Sequence, residues 1–121
     1  GLKTLMKELP VSAYLTTGTV GALRAQEYEL AGSAIVTVTP GVAFTIGDAE
    51  IMPFPVPHDA AEPVAFSVRC GGVKITQLTD VGYLPDDLAD RLRESDVLIL
   101  ESNHDLEMLR VGPYPWWWRV K

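Results

Sequence analysis

Residues 57–84 read PHDAAEPVAFSVRCGGVKITQLTDVGYL, and this stretch decides the fold. Two β-favouring runs, Val64 to Cys70 and Val73 to Leu78, are separated only by Gly71-Gly72. Such a link is a strong hairpin signal, because the preferred two-residue turn needs positive φ at both central positions. The spacing therefore predicts an antiparallel hairpin as the central element. Its open ends carry polar groups: His58-Asp59 lies before the first strand and Thr79-Asp80 after the second. Folding the hairpin brings that histidine and that carboxylate to the same edge of the sheet.

Upstream, Leu2, Leu5, Met6 and Leu9 fall at helical spacing, and Pro10 ends the helix. Val11 to Leu15 reads as a short strand, and Thr16-Thr17-Gly18-Thr19 offers hydroxyls to cap a second helix over Val20 to Gln26. Ile35 to Val38 is a further strand. Phe44 to Ile46, the Gly47-Asp48 turn and Glu50 to Val56 suggest a second hairpin. Prolines at 53, 55 and 57 lack ladder donors, so this last strand is expected to be irregular or at an edge. Downstream, Pro85 suits a first helical position, with Asp86 and Asp87 near the positive end of a helix running to about Glu94. Val97 to Leu100 reads as a core strand covered on both faces. Leu106 to Leu109 suggests a short helix, and the three tryptophans at 116–118 call for a covering surface. Alternating strands and helices give an α/β (layered α+β) class, with the site at a strand edge.

At 121 residues the chain is expected to be one domain at most, and 47% apolar with 21% charged residues is ordinary for a globular protein. A net charge of −6 argues against non-specific coating of nucleic acid, which needs a basic face, but leaves room for an enzyme that grips a phosphodiester through metal ions. No apolar run approaches the roughly 20 residues of a membrane span, and no signal peptide is recognisable, so no membrane partner and a cytoplasmic location are the expectation. The single Cys70, at a strand end, is expected to be a buried, inert thiol. Gly1, in place of methionine, is read as something other than a native translation start.

Both histidines of the chain are followed by aspartate, His58-Asp59 and His104-Asp105, and both pairs fall in loops at strand ends. Histidine with carboxylate is the usual ligand set for zinc or manganese hydrolases. Each residue also has a plainer reading. His58 among prolines could serve a structural hydrogen bond, and Asp80 could cap a turn at Gly82. Ser102 and Asp105 are spaced like a capping box, whereas Asn103 and His104 lean toward an orienting role. No GxSxG elbow, P-loop, GxGxxG or CxxC is present, and nothing in the spacing favours a triad of Ser102, His104 and Asp80.

Four stretches, PFPVPHDAAEPVAFSV (53–68), TDVGYLPDD (79–87), LILESNHDLEML (98–109) and GPYPW (112–116), together resemble the metallo-β-lactamase-fold hydrolases, and within them the YycJ (WalJ) branch. The resemblance implies an αββα sandwich, present here in part, and a site for two divalent metal ions at one sheet edge. It implies hydrolysis of phosphodiesters, with 5′-exonuclease activity on DNA in this branch and nucleic acid as the partner. By motif, His58 matches a histidine ligand and Asp80 the bridging carboxylate, which makes them the catalytic and metal-binding pair. Asp59 would orient an imidazole, and Asn103 and His104 would lie near the metals or substrate. Two such cations lower the pKa of a shared water and stabilise charge on a phosphoryl oxygen. The family's HxHxDH and GHLSN-like motifs are absent. The chain is therefore expected to be the interior, truncated part of a single incomplete metallohydrolase domain, inactive by itself and holding its two metal ions only where the site is completed. The alternative expectation is a non-catalytic module that buries its apolar face as a homo-oligomer.

Overall fold

The computed structural model describes residues 2–28, 35–81 and 84–101. In chain order the elements are α1 (Leu2–Glu8), β1 (Ala13–Thr16), α2 (Thr17–Ala25), β2 (Ile35–Val38), β3 (Phe44–Ile46), β4 (Ala49–Pro55), β5 (Val64–Cys70), β6 (Val73–Leu78), α3 (Asp86–Leu92) and β7 (Val97–Leu100). Strands β1 and β2 form a parallel pair, and β3 to β7 form a five-stranded sheet in sequence order, antiparallel except for the parallel β6–β7 pair.

The central hairpin forms as the glycines predict. Gly71 and Gly72 have φ of 58° and 83°, and Cys70 pairs with Val73 directly across the turn. Positive φ at both central positions matches the right-handed twist of the flanking strands, and only glycine adopts it without strain.

The prolines of β4 do not push it to the edge of the sheet, contrary to the sequence expectation. The strand is regular and lies between β3 and β5. The reason is the direction in which the missing donors would point. The Pro53 carbonyl accepts from the Gly41 N–H at 2.8 Å, away from β5, whereas the Val56 N–H donates at 3.2 Å to the Pro63 carbonyl on the β5 side. A strand residue's N–H and C=O point the same way, so Pro53 and Pro55 face the side that three-residue β3 has already vacated. No β4–β5 hydrogen bond is lost.

Period-two alternation sorts the sheet into two faces. One carries Phe54, Ala65 and Leu78, which pack with Val56 and with Leu88 of α3 as the core cluster, and Val81 and Leu92 close its margin. Phe54 is 1% and Leu88 3% exposed, and each such burial contributes roughly 1.5–3 kcal/mol. Helix α3 is fixed to this face by Lys74, whose ammonium donates to the carbonyls of Arg91 and Arg93, and its exit is held by the Thr76–Ser95 hydroxyl pair at 2.8 Å. On the opposite face, Phe44 stacks on Tyr14 of β1 at 5.1 Å between centroids, joining the small sheet to the large one. Helix, large sheet, small sheet with α2 against it: this is a mixed α/β layering consistent with a partial αββα sandwich.

Three local expectations are corrected. Pro85 takes the N-cap position in extended conformation, one residue before α3, because its fixed φ suits either place. Strand β7 is not covered on both faces; all four of its residues are exposed, since it is the outermost strand among the described residues. Cys70 is exposed, because the strand end next to the turn projects past the core. The capping box of Ser102 and Asp105, the helix at 106–109, the turn at Gly82 and the tryptophans at 116–118 lie outside the described residues.

Candidate metal centre at the sheet edge

The sheet register gathers the candidate residues. Pro55 ends β4 opposite Val64, which begins β5, and Leu78 ends β6 beside Leu100, which ends β7. The loop of residues 56–63, the segment after β6 and the segment after β7 therefore leave the sheet at one edge. His58, Asp59, Asp80 and Glu101 all belong to these three exits. Asn103 and His104 lie outside the described residues.

His58 is exposed, and its Nδ1 has two neighbours. The Ala60 N–H donates to it at 3.0 Å, and Asp59 Oδ1 stands 3.2 Å away. These contacts belong to different proton positions. A ring that accepts at Nδ1 carries its proton on Nε2. A ring protonated at Nδ1 donates instead to Asp59 and presents an Nε2 lone pair, which is the form a metal ligand needs.

The His58 loop is not left to float. Thr16, 1% exposed and the N-cap of α2, donates from Oγ1 to the Glu62 carbonyl at 3.0 Å, and Thr19 Oγ1 donates to the Ala61 carbonyl at 3.3 Å. The Glu62 carboxylate accepts from the Gly18 N–H at 2.6 Å, meeting a donor in the first turn of the helix.

Asp80 has φ of 55°, a left-handed conformation that aspartate tolerates better than most side chains. Its N–H donates to Glu101 Oε2 at 2.8 Å, so the residue after β7 holds the residue that follows β6. Sequence reasoning missed Glu101 and Glu62. Glu101 could have been found, because it follows an aliphatic run just as Thr79-Asp80 follows β6. Glu62 gave no local signal, since its partner Gly18 is 44 residues away.

Among the described residues, no group of three or more His, Cys, Asp or Glu side chains converges as a metal site. The described chain thus offers two candidate ligands on neighbouring exits, a partial set. A shallow cleft on the α3 face, lined by Glu50, Ser67, Arg69, Lys74 and Arg91 among others, sits toward the other end of the strands. No described helix is long and apolar enough to cross a membrane.

The β-lactamase superfamily domain family matches residues 1–116. Exodeoxyribonuclease YycJ of Bacillus anthracis is 33% identical over 116 residues, which are 96% of this chain and 44% of that protein. Exodeoxyribonuclease WalJ of Streptococcus pneumoniae serotype 2 is 38% identical over 76 residues, 63% of this chain and 28% of that protein. The chain thus spans less than half the length of these curated relatives. Zn(2+)-bound PqqB from Methylobacterium extorquens superposes with a TM-score of 0.75 at 22% identity, covering 98% of this chain and 44% of that one, a likeness of fold. The layered sheets, the matched span and the relatives agree: the chain belongs to the β-lactamase superfamily domain family, as a YycJ/WalJ-like protein of the metallo-β-lactamase fold.

Proposed function

We propose that this chain carries part of the site of a metal-dependent phosphodiesterase of the 5′-exonuclease type, acting on DNA. His58 and Asp80 are its metal-binding residues, Asp59 orients His58 through Nδ1, and Asn103 and His104 contribute from the segment after β7. Zinc or manganese, as a pair, suits this donor chemistry. The observation that supports the reading most is the shared sheet edge, where His58 and Asp80 leave neighbouring exits and Asp80 is held through its backbone N–H, a bond that leaves its carboxylate out. The two described ligands are too few for turnover on their own.

Elemental analysis of the purified chain tests this, with His58→Ala and Asp80→Ala alongside. Close to two metal ions in the parent, lost in both variants, supports the reading, and a chelator-sensitive nuclease assay on 5′-ended DNA then follows. Unchanged metal content in both variants would sink it.

A second reading has its own observation. Val73 and Ile75 of β6 and Val97 and Ile99 of β7 share one face by register and are 38–47% exposed. Such a strip at a sheet edge favours self-association. Concentration-dependent sedimentation tests it.

A further inference from the structure

We infer that Glu62 is a positioning residue, a clasp that sets where His58 stands by tying its loop to the first turn of α2; the inference rests on the ligand role proposed for His58. The base of the loop is closed by the Val56 N–H bond to the Pro63 carbonyl, which fixes its ends but not the residues between them. Those are held from the side. Thr16 and Thr19 donate to the consecutive carbonyls of Glu62 and Ala61, and the Glu62 carboxylate returns to the Gly18 N–H.

Two features show that this contact is built rather than incidental. Glu62 has φ of 64°, a left-handed conformation that glutamate avoids unless surrounding contacts impose it. At Gly18, an added Cβ would stand 2.6 Å from the Glu62 Cβ and 3.1 Å from the Ala61 carbonyl oxygen. Glycine is thus required in the first turn of α2, where any side chain would push the loop away. The carboxylate itself meets an N–H that has no partner within the helix, at the end where the helix dipole favours negative charge. Because α2 packs on the small sheet and His58 follows a strand of the large one, the clasp couples the two layers at the site. Groups that hold a metal ligand in place typically change metal affinity by roughly 10–100-fold when removed.

The test uses the whole chain and Zn2+ alone as probe. Hydrogen exchange by mass spectrometry and zinc titration are run on the parent, Glu62→Ala, Glu62→Gln, Gly18→Ala and His58→Ala. Gly18→Ala removes no hydrogen-bonding group and raises intrinsic helix propensity, so it separates displacement of the loop from unfolding of α2. Glu62→Ala and Gly18→Ala should speed exchange of the backbone amides at positions 18 and 60 by about tenfold or more while the β5–β6 hairpin keeps its protection. Both should weaken zinc binding by about tenfold, and Glu62→Gln, whose amide oxygen still accepts from Gly18, should stay within about threefold of the parent. Parent-like exchange of the amides at positions 18 and 60 in Glu62→Ala overturns the clasp. A loosened loop with undiminished zinc affinity overturns the positioning role. Failure of the underlying reading looks different: His58→Ala then binds zinc as the parent does, or the parent takes up none, whatever the exchange data show.

Discussion

Lys74→Met should destabilise the fold by about 2–4 kcal/mol. The side chain is 7% exposed, and its Nζ donates to the carbonyls of Arg91 at 2.8 Å and Arg93 at 2.6 Å. Both acceptors are at the C-terminal end of α3, where carbonyls lack helical partners and the dipole is negative. Hydrogen bonds from a charged donor contribute roughly 1.5–3 kcal/mol each, so two give about 3–6 kcal/mol. Methionine keeps most of the apolar stem in the cleft that Met52 and Phe54 also line, and its terminal methyl returns about 1 kcal/mol of burial, while water reaches part of the freed carbonyl surface. The bond from the backbone N–H of Lys74 to Asp96 Oδ2, 2.7 Å long, survives the substitution, so the entry to β7 is retained. Urea unfolding followed by circular dichroism is the assay. With a slope of about 2 kcal/mol per molar urea, the middle of the usual range, the midpoint should fall by about 1–2 M. A shift under about 0.3 M with an unchanged slope would refute the reasoning, because it would mean that water satisfies those carbonyls as well as the ammonium does.

The other expectations address the core, the site and the surface. Phe54→Ala, at a position 1% exposed, should cost about 3–5 kcal/mol in the same urea experiment, since the core cluster cannot collapse into the space. Asp59→Ala should lower zinc affinity by about tenfold with no change in the unfolding midpoint, because it removes only the acceptor that favours the Nδ1-protonated ring; equal affinity would remove Asp59 from the site. Cys70 should be fully labelled by a thiol reagent in the native state, in contrast to the buried thiol expected from sequence, and slow labelling that tracks unfolding would contradict its exposure. Ile99→Lys should shift any self-associated species toward monomer in sedimentation, whereas an unchanged distribution would count against the β6–β7 strip as the contact.

The sequence by itself determined the elements whose cause is local. Gly71-Gly72 set the central turn, the threonines at 16–19 set the start of α2, and the aliphatic runs marked β2, β6 and β7, because turn φ, helix capping and strand periodicity act between near neighbours. The shared edge of His58 and Asp80 was also legible, since a hairpin fixes where its ends go. Tertiary structure decided what depends on neighbours distant in the chain. Only the short β3 made room for prolines inside β4, and only the sheet order left Val97–Leu100 bare where its composition suggested cover. The partners of Glu62 and Glu101 were invisible for the same reason. Each carboxylate accepts a backbone N–H from a residue whose side chain takes no part in the bond, across 44 and 21 residues, and no side-chain pattern records where a main-chain donor will point after folding.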